Sequence, residues 1–570
     1  MAEAKTLIDE EPAAPSEGAA PLSPAASFSS AASPMAISAT LALAACGGGS
    51  DSTPTPTPPP PPAAIKPTRL EAARFLSQAT MGPNAASIEL VVANGYESWL
   101  DTQFATAREI THWDWLVSAG YAVPDSANNQ AGFDPVMWRQ LIAGPDQLRQ
   151  RVGMALLEIL VVGIDGVSIP WPQFAVAAYV DVLLDNAFGN FRTLLERVST
   201  NVAMGYFLTF AGNRKANPNT GAVPDENYAR ELMQLFTIGL VKLNPDGTVQ
   251  TNAGVPIETY GQSDITGLAR VFTGWNVDSA DNSTPDRMRR PMVNNAGQHE
   301  TGVKTFLGTT IPAGTSGPDS LKQALDAIFA HPNVAPFVCK QLIQRLVTSN
   351  PPPSYVQRIA QVFENNGSGV RGDLKAVIRA MLLDLEARSP TIAAAPSYGK
   401  LREPIMRLTG WGRAFNASSP SNAWPIGNTS STANRLGQSP GRSPSVFNFF
   451  RPGYTPPNSA IANSGLVAPE LQITNEPTVI AYVNYLQALI VNGAGDFRAN
   501  YADIVALADN SERLIDEVDI LLGAGLSAAA KASIRGAVDA ITFTATTGAT
   551  NRAYTAILLT IASPDFLVQK

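Results

Sequence analysis

Along residues 68–565 apolar side chains recur at three- and four-residue spacing, and strand-like alternation is scarce. That pattern predicts helices. Thr68-Arg-Leu-Glu71 has the form of a capping box and opens a helix with Leu70, Ala73 and Leu76 on one face. Gly82-Pro83 stops it, and Asn84 caps a second helix that ends near Gly95. Residues 146–162 form a strongly apolar helix. Further helices fit 172–187, 190–197, 225–239, 263–274, 319–330, 332–348, 353–365, 372–385, 399–414, 477–491, 511–523, 527–541 and 551–562. The fold class is therefore mainly α: a large multi-helix body with a small irregular or hairpin insert near 276–310. A long polar loop, rich in Ser, Pro, Asn and Gly, covers about 415–475. Loops of that length in a compact body are usually functional or disordered.

The chain before this body is organised differently. Met35 to Ala45 is an apolar stretch of signal-core length ending in Leu43-Ala44-Ala45-Cys46-Gly47. This resembles a bacterial lipobox, which implies acylation of Cys46 and an extracytoplasmic, membrane-anchored lipoprotein of the outer membrane or periplasm. The segment before the core is acidic rather than basic, with Lys5 its one cation. Gly47 to Pro62 holds a glycine run and a Thr-Pro and proline run, which forms a semi-rigid spacer. The expected organisation is a leader over 1–46, a tether over 47–66 and a single helical body over 67–570.

Composition narrows the function classes. The 570 residues carry a net charge of −8, and 15% are charged, against roughly 25% in ordinary soluble domains. No basic surplus exists to neutralise a phosphate backbone, so no nucleic-acid partner is expected. Two cysteines, Cys46 and Cys339, cannot build a thiolate metal site or a disulfide framework. No apolar run reaches the roughly 18 residues of a membrane span. Nucleophile-elbow, phosphate-loop, dinucleotide and zinc-helix motifs are absent.

Several polar clusters could carry chemistry. Asp225 reads as the cap of a helix on which Asn227, Arg230 and Glu231 share a face, with Glu226 and Arg230 as an i,i+4 pair. An arginine fork there suits a carboxylate, sulfate or phosphate group. His299-Glu300, with Lys304 close by, follows the helix that ends at Trp275, and such a histidine suits acid–base work or metal ligation. The reading assigns Glu231, His299 and Asp264 to catalysis. It assigns Asn227, Arg230, Lys304, Trp275 and Arg442 to substrate binding. His299 and Glu300 are the candidate metal ligands, and their chemistry would favour Mg²⁺, Ca²⁺ or Mn²⁺. Asp264 and Glu403 also read as helix openings, as His331 does, and His112 reads as a packing residue. Glu231, Asp264, Glu300 and Glu403 are candidates for a carboxylate pair. Gln438, Arg442 and Phe447 of the long loop are candidates to face a ligand.

Segments spread along the body resemble one family. They are Arg69-Leu with Arg74-Phe-Leu and Thr80-Met-Gly-Pro83; Glu226-Asn-Tyr-Ala-Arg-Glu231 with Thr237-Ile-Gly239; Asp264 with Arg270-Val-Phe-Thr-Gly-Trp275; and His299-Glu300 with Lys304 and Gly308. His331-Pro-Asn-Val, Lys400-Leu-Arg-Glu-Pro404 and Gly441-Arg-Ser-Pro444 add to them. Together they are similar to the bacterial domain of unknown function 1800 family over roughly 68–565. This chain has His299-Glu300 where the family usually has His-Asp, and Asp225-Glu226-Asn227 for Asn-Glu-Asn. Gln234 stands in place of a later Glu. The resemblance implies an exported protein, and a sulfatase-like exported protein as possible partner, but no mechanism. Two functions follow: a hydrolase or transferase acting on a surface polymer or a sulfate or phosphate ester, or a non-catalytic envelope or surface binding protein.

Overall fold

In the computed structural model the Thr68 capping box is formed: Glu71 N–H donates to Thr68 Oγ1, and the Thr68 N–H donates to Glu71 Oε2 (2.8 Å). The structure describes residues 66–570, which belong to one compact unit. The leader, Cys46 and nearly all of the tether lie outside the described residues. The body is mainly α-helical, and its strands form short two-stranded antiparallel pairs. No helix of the described residues is long and apolar enough to cross a membrane.

Helical spacing located most elements to within a few residues. Helices run Pro172–Asp185, Gly317–Phe329, Val334–Leu346, Pro353–Glu364 and Glu476–Asn492, close to the expected spans. The insert near 276–310 contains two hairpins, Trp275–Asn276 with Val293–Asn294 and Lys304–Phe306 with Thr309–Ile311. Helices not read from the sequence include three of more than one turn: His112–Ser118, Phe133–Ala143 and Val202–Phe207. The first and last are too short to establish a period. Pro135 near the start of the middle one reads as a break, yet the first turn of a helix needs no donor there.

One correction bears on function. The stretch 225–239 is not a continuous α-helix. An α-turn over Asn227–Glu231 passes into a π-helix over Leu232–Thr237, a form concentrated at functional sites. It ends at Gly239, whose positive φ (72°) brings it against the Phe337 ring, where a Cβ would collide.

The long polar loop is fastened to the body. Gly163 lies so close to the Ser443 carbonyl that a Cβ would overlap it, and Ile164 N–H donates to the Gly441 carbonyl (2.9 Å). Arg442 grips Asp134 with both Nε (2.7 Å) and Nη2 (2.9 Å), and reaches Gln130 and Asp165 with Nη1. Short helices at Ala460–Asn463 and Pro469–Ile473 follow. The loop is a layer of the structure that carries Gln438, Phe447 and Glu470 to one place.

Cys339 is fully buried in the helix Val334–Leu346, among Val338, Leu342 and Ile343, and burial pushes its thiol up. A buried thiol of this kind behaves as a small hydrophobe. We expect the Cys339 peptide to stay unlabelled when the native protein meets a thiol reagent and to label fully after denaturation; mass spectrometry of the digest reads both.

Candidate functional site

The helix Gln147–Leu157 is buried nearly all round and ends on Glu158. Arg345 lies in the last turn of Val334–Leu346, among apolar residues. Both charges therefore point where the apolar faces of their helices point, into the interior. The short strand Lys400–Leu401, paired to Val568–Gln569 at the chain's end, holds Lys400, and Glu403 opens the helix Pro404–Ala414. The 3₁₀ turn Pro469–Ile473 adds Glu470. These side chains form one buried ion cluster.

Lys400 Nζ pairs with Glu470 Oε1 (3.0 Å) and donates to the Arg345 carbonyl (3.0 Å). Arg151 Nη2 donates to the same carbonyl (2.5 Å), and Arg345 Nη2 donates to the Glu158 carbonyl (3.0 Å). Gln438 Nε2 donates to Glu403 Oε2 (2.6 Å), while its own Oε1 accepts the Ile405 N–H (3.1 Å). Arg345 Nε lies 3.4 Å from Glu158 Oε2, in ion-pair range but not aligned as a hydrogen bond.

The carboxyls of Glu158 and Glu403 are buried together, close enough that each acts strongly on the other's ionisation. Neither Glu158 oxygen, nor Oε1 of Glu403, meets an N–H or hydroxyl donor at hydrogen-bonding geometry. Two carboxylates this close cannot both ionise in a dry interior. Burial, and then the neighbouring charge of Glu403, hold Glu158 well above the usual carboxyl range. Burial also opposes the ionised form of Glu403. Lys400, the neighbouring Glu158, Arg151 and Gln438 outweigh it and keep Glu403 below its ordinary value. The proton therefore resides on Glu158, and Glu403 is the anion.

Glu158 and Arg345 also form part of the wall of a cleft of about 1020 Å³. Gln234 and Leu235 of the π-helix, Phe337 and Gln341, and Phe447, Arg451 and Tyr454 of the long loop complete it. A second cavity of about 520 Å³ shares Gly239, Leu240, Phe337, Gln341, Pro452 and Gly453 with the first, so the two form one elongated groove.

The residues singled out in the sequence are distributed around this site. Glu231 is buried just before the π-helix, its Oε2 without a partner, and burial raises its pKa above the ordinary value despite Arg230. Tyr260, close enough to feel the Glu231 charge and pushed up to about 12, first by burial, donates a long hydrogen bond (3.4 Å) to Gln234 of the cleft wall. Arg230 pairs with Glu226 (3.3 Å), and Asn227 reaches Thr209 Oγ1 (3.5 Å). Asp225 accepts the Asn227 N–H (2.8 Å), but it precedes the N-cap position, which falls on Glu226 and has no side-chain capping bond.

His299 and Lys304 lie together in a buried group. His299 Nδ1 faces the Thr273 carbonyl (2.9 Å), which makes Nδ1 the protonated nitrogen and leaves Nε2 without a partner. Burial, and to a lesser degree Lys304, lower its pKa, so the ring is neutral near pH 7. Lys304 Nζ has only the Gly302 carbonyl at 3.5 Å, and Glu300 Oε1 accepts the Gly302 N–H (2.9 Å). Glu231 is not among the charges that act on His299. Trp275 is buried with Nε1 donating to the Val271 carbonyl (3.3 Å). Asp264 accepts the N–H groups of Gly261 (2.9 Å) and Leu307 (2.7 Å), a helix-opening role, and Arg442 is committed to Asp134. Among the described residues, no three His, Cys, Asp or Glu side chains gather as a metal site.

Glu158, Arg151 and Arg345 were missed from sequence. Their signal was there: each is a charge in phase with an apolar helix face, where an unpaired charge is costly.

The fold and site define a large helical protein with a groove whose floor is a buried ion cluster built around a carboxyl pair. Residues 74–568 match the family described as Protein of unknown function (DUF1800), and the chain belongs to it. No curated protein and no solved structure matches the chain.

Breaking one partner of a buried ion pair costs about 3–5 kcal/mol, whereas replacing both with apolar groups costs far less. We expect Lys400→Met to destabilise by about that amount, and Lys400→Met with Glu470→Leu to recover most of the loss. Urea unfolding of the single and double variants measures the difference.

Proposed function

We propose that the protein is an exported hydrolase or transferase that cleaves or transfers part of a surface polymer at the groove over Glu158. One observation carries this reading: Glu158, a residue of the groove wall, lies against Glu403, and burial together with that charge favours its protonated form. A buried carboxyl kept protonated near neutral pH can act as a general acid. Glu158 would protonate a leaving oxygen. The resulting second negative charge would be stabilised by Arg345, Arg151 and Lys400, already in place. The incoming water or acceptor hydroxyl would form the new bond to the group released from the leaving oxygen and return its proton to the Glu158 carboxylate. The groove spans two joined cavities, more room than one small ligand needs, and this favours a polymer.

Purified protein incubated with a panel of bacterial surface and extracellular polymers, with product ends counted, tests the reading. We expect Glu158→Gln to fold with an unchanged circular dichroism spectrum and to lose about 10²–10⁴-fold in rate. Glu403→Gln removes the anion that keeps the proton on Glu158, so the alkaline limb of the pH–rate profile should move to lower pH. Full activity of folded Glu158→Gln would refute the assignment.

The same reading places the body outside the cytoplasm through Cys46, in keeping with the lipobox-like segment and the spacer after it. We expect the mature native chain to begin at a diacylated Cys46. Mass spectrometry that recovers mainly a peptide continuous across Ala45–Gly47 with a free thiol would exclude the anchor.

A further inference from the structure

We infer that the groove is built for an acidic polysaccharide, a sugar chain bearing repeated carboxylate or sulfate groups. The inference rests on the groove being the substrate site, and it names the substrate class.

The first support is charge. In a chain of net charge −8, the charged side chains on the two joined cavities are Arg345 and Arg451 in one, Lys340 in the other, and Glu158 as the only carboxyl. The groove thus presents three cations against one carboxyl, whose ionisation burial and Glu403 oppose. The layer below does not reverse this: apart from Arg345, already counted in the groove, Arg151 and Lys400 balance Glu403 and Glu470.

The second support is unused donor capacity. Arg345 is 4% exposed and its Nε is buried 3.4 Å from Glu158 Oε2, so the free capacity lies with Arg451 and Lys340. Arg451 and Lys340 form no ion pair among the described residues. Arg451 instead stands 4.6 Å over the Phe447 ring, and Asp246 is the one acid that acts on Lys340. Guanidinium forks match the planar oxygens of carboxylate and sulfate. Cations in both cavities fit a chain carrying anionic groups at intervals better than a single small anion.

The third support is the wall chemistry. Phe337, Phe447 and Tyr454 offer rings, and Gln234, Gln341 and Gln472 offer amides. Rings suit the apolar faces of sugar units, and amides pair with hydroxyl groups as both donor and acceptor. A peptide docking by strand addition would call for an unpaired strand edge, which the groove's helical and loop walls do not offer.

The test uses the full chain and isothermal titration calorimetry at low salt. The probes are oligoalginate for carboxylate, chondroitin sulfate for sulfate, cellohexaose as a neutral sugar chain, and poly-glutamate as an acidic peptide. We expect one or both acidic sugar chains to bind, with affinity falling as salt rises, and the two probes to separate carboxylate from sulfate. Arg451→Ala should weaken binding about tenfold, and adding Lys340→Ala should weaken it further. Arg451→Lys should restore part of the loss. These side chains lie outside the buried cluster, so the variants are expected to fold, with melting temperature as the check. Equal binding of cellohexaose, tighter binding of poly-glutamate, no binding of either acidic sugar, or binding unmoved by both substitutions would overturn the inference. The catalytic reading fails separately: acidic sugar binding retained in Glu158→Gln with turnover undiminished would remove the acid role and leave the substrate class standing.

Discussion

Five separate segments of this chain are tied together by one interaction, the buried ion cluster around Glu158 and Glu403. Arg151 and Arg345 meet across 194 residues of sequence, and the Glu158 carbonyl accepts from Arg345 across 187. The strand that holds Lys400 is paired to the last residues of the chain, and Gln569 Nε2 donates to the Leu346 carbonyl (2.9 Å) at the end of Arg345's helix. Ionised groups lose several kcal/mol each on leaving water. The cluster survives burial because each charge is given an opposite charge or a carbonyl, and because one proton removes the worst repulsion. Any displacement of the long loop, the C-terminal strand or either helix would strand a charge. The cluster therefore fixes the relative placement of those elements more tightly than apolar packing does, since apolar contacts tolerate small shifts.

The groove follows from that placement. Its floor is the edge of the cluster, and its walls are the π-helix after Glu231 on one side and the returning loop on the other. A π-helix spaces its side chains differently from an α-helix, so Gln234 and Leu235 reach the groove while Glu231 stays buried. Gly239 lets Phe337 close over the junction of the two cavities. Loops that carry function are normally held by a rigid scaffold. Here the loop is held by the Arg442–Asp134 fork and by the contact at Gly163, so Arg442 serves the groove by positioning Phe447 and Arg451 a few residues on.

How much of this the sequence displayed depended on how local the cause was. Thr68-Arg-Leu-Glu71 contains its whole capping mechanism in four residues, and the structure forms it. Helix periods over Pro172–Asp185 or Pro353–Glu364 are likewise local. The helix after Glu226 was legible only as helical, because the shift to π geometry depends on packing against Phe337 and on Thr237 turning back to the Leu232 carbonyl. The site was least legible. Glu403 read as a helix opening, which it is, and nothing near it in sequence tells that Glu158 lies against it. The residues that drew attention, His299, Glu231 and Asp264, were chosen for chemical type and local company. Asp264 and Arg442 found backbone and carboxylate partners, whereas Glu231 and His299 each keep a buried polar atom without one.

That last contrast bears on how the two polar groups differ in capacity. The His299 group is small, and its neutral ring is oriented by the Thr273 carbonyl; Lys304, held below its ordinary value chiefly by burial, adds a cation with only a distant carbonyl to satisfy it. Such a group can move a proton but adjoins none of the described cavities. The Glu158 group has a carboxyl held toward its protonated form, the positive charges of Arg345, Arg151 and Lys400 around it, and a place in the wall of a groove, although its two oxygens are buried beneath that wall. A general acid needs a proton to give, a compensating field and a substrate within reach. The distribution of those requirements, more than the identity of any one side chain, is what sets the groove apart from the rest of the molecule.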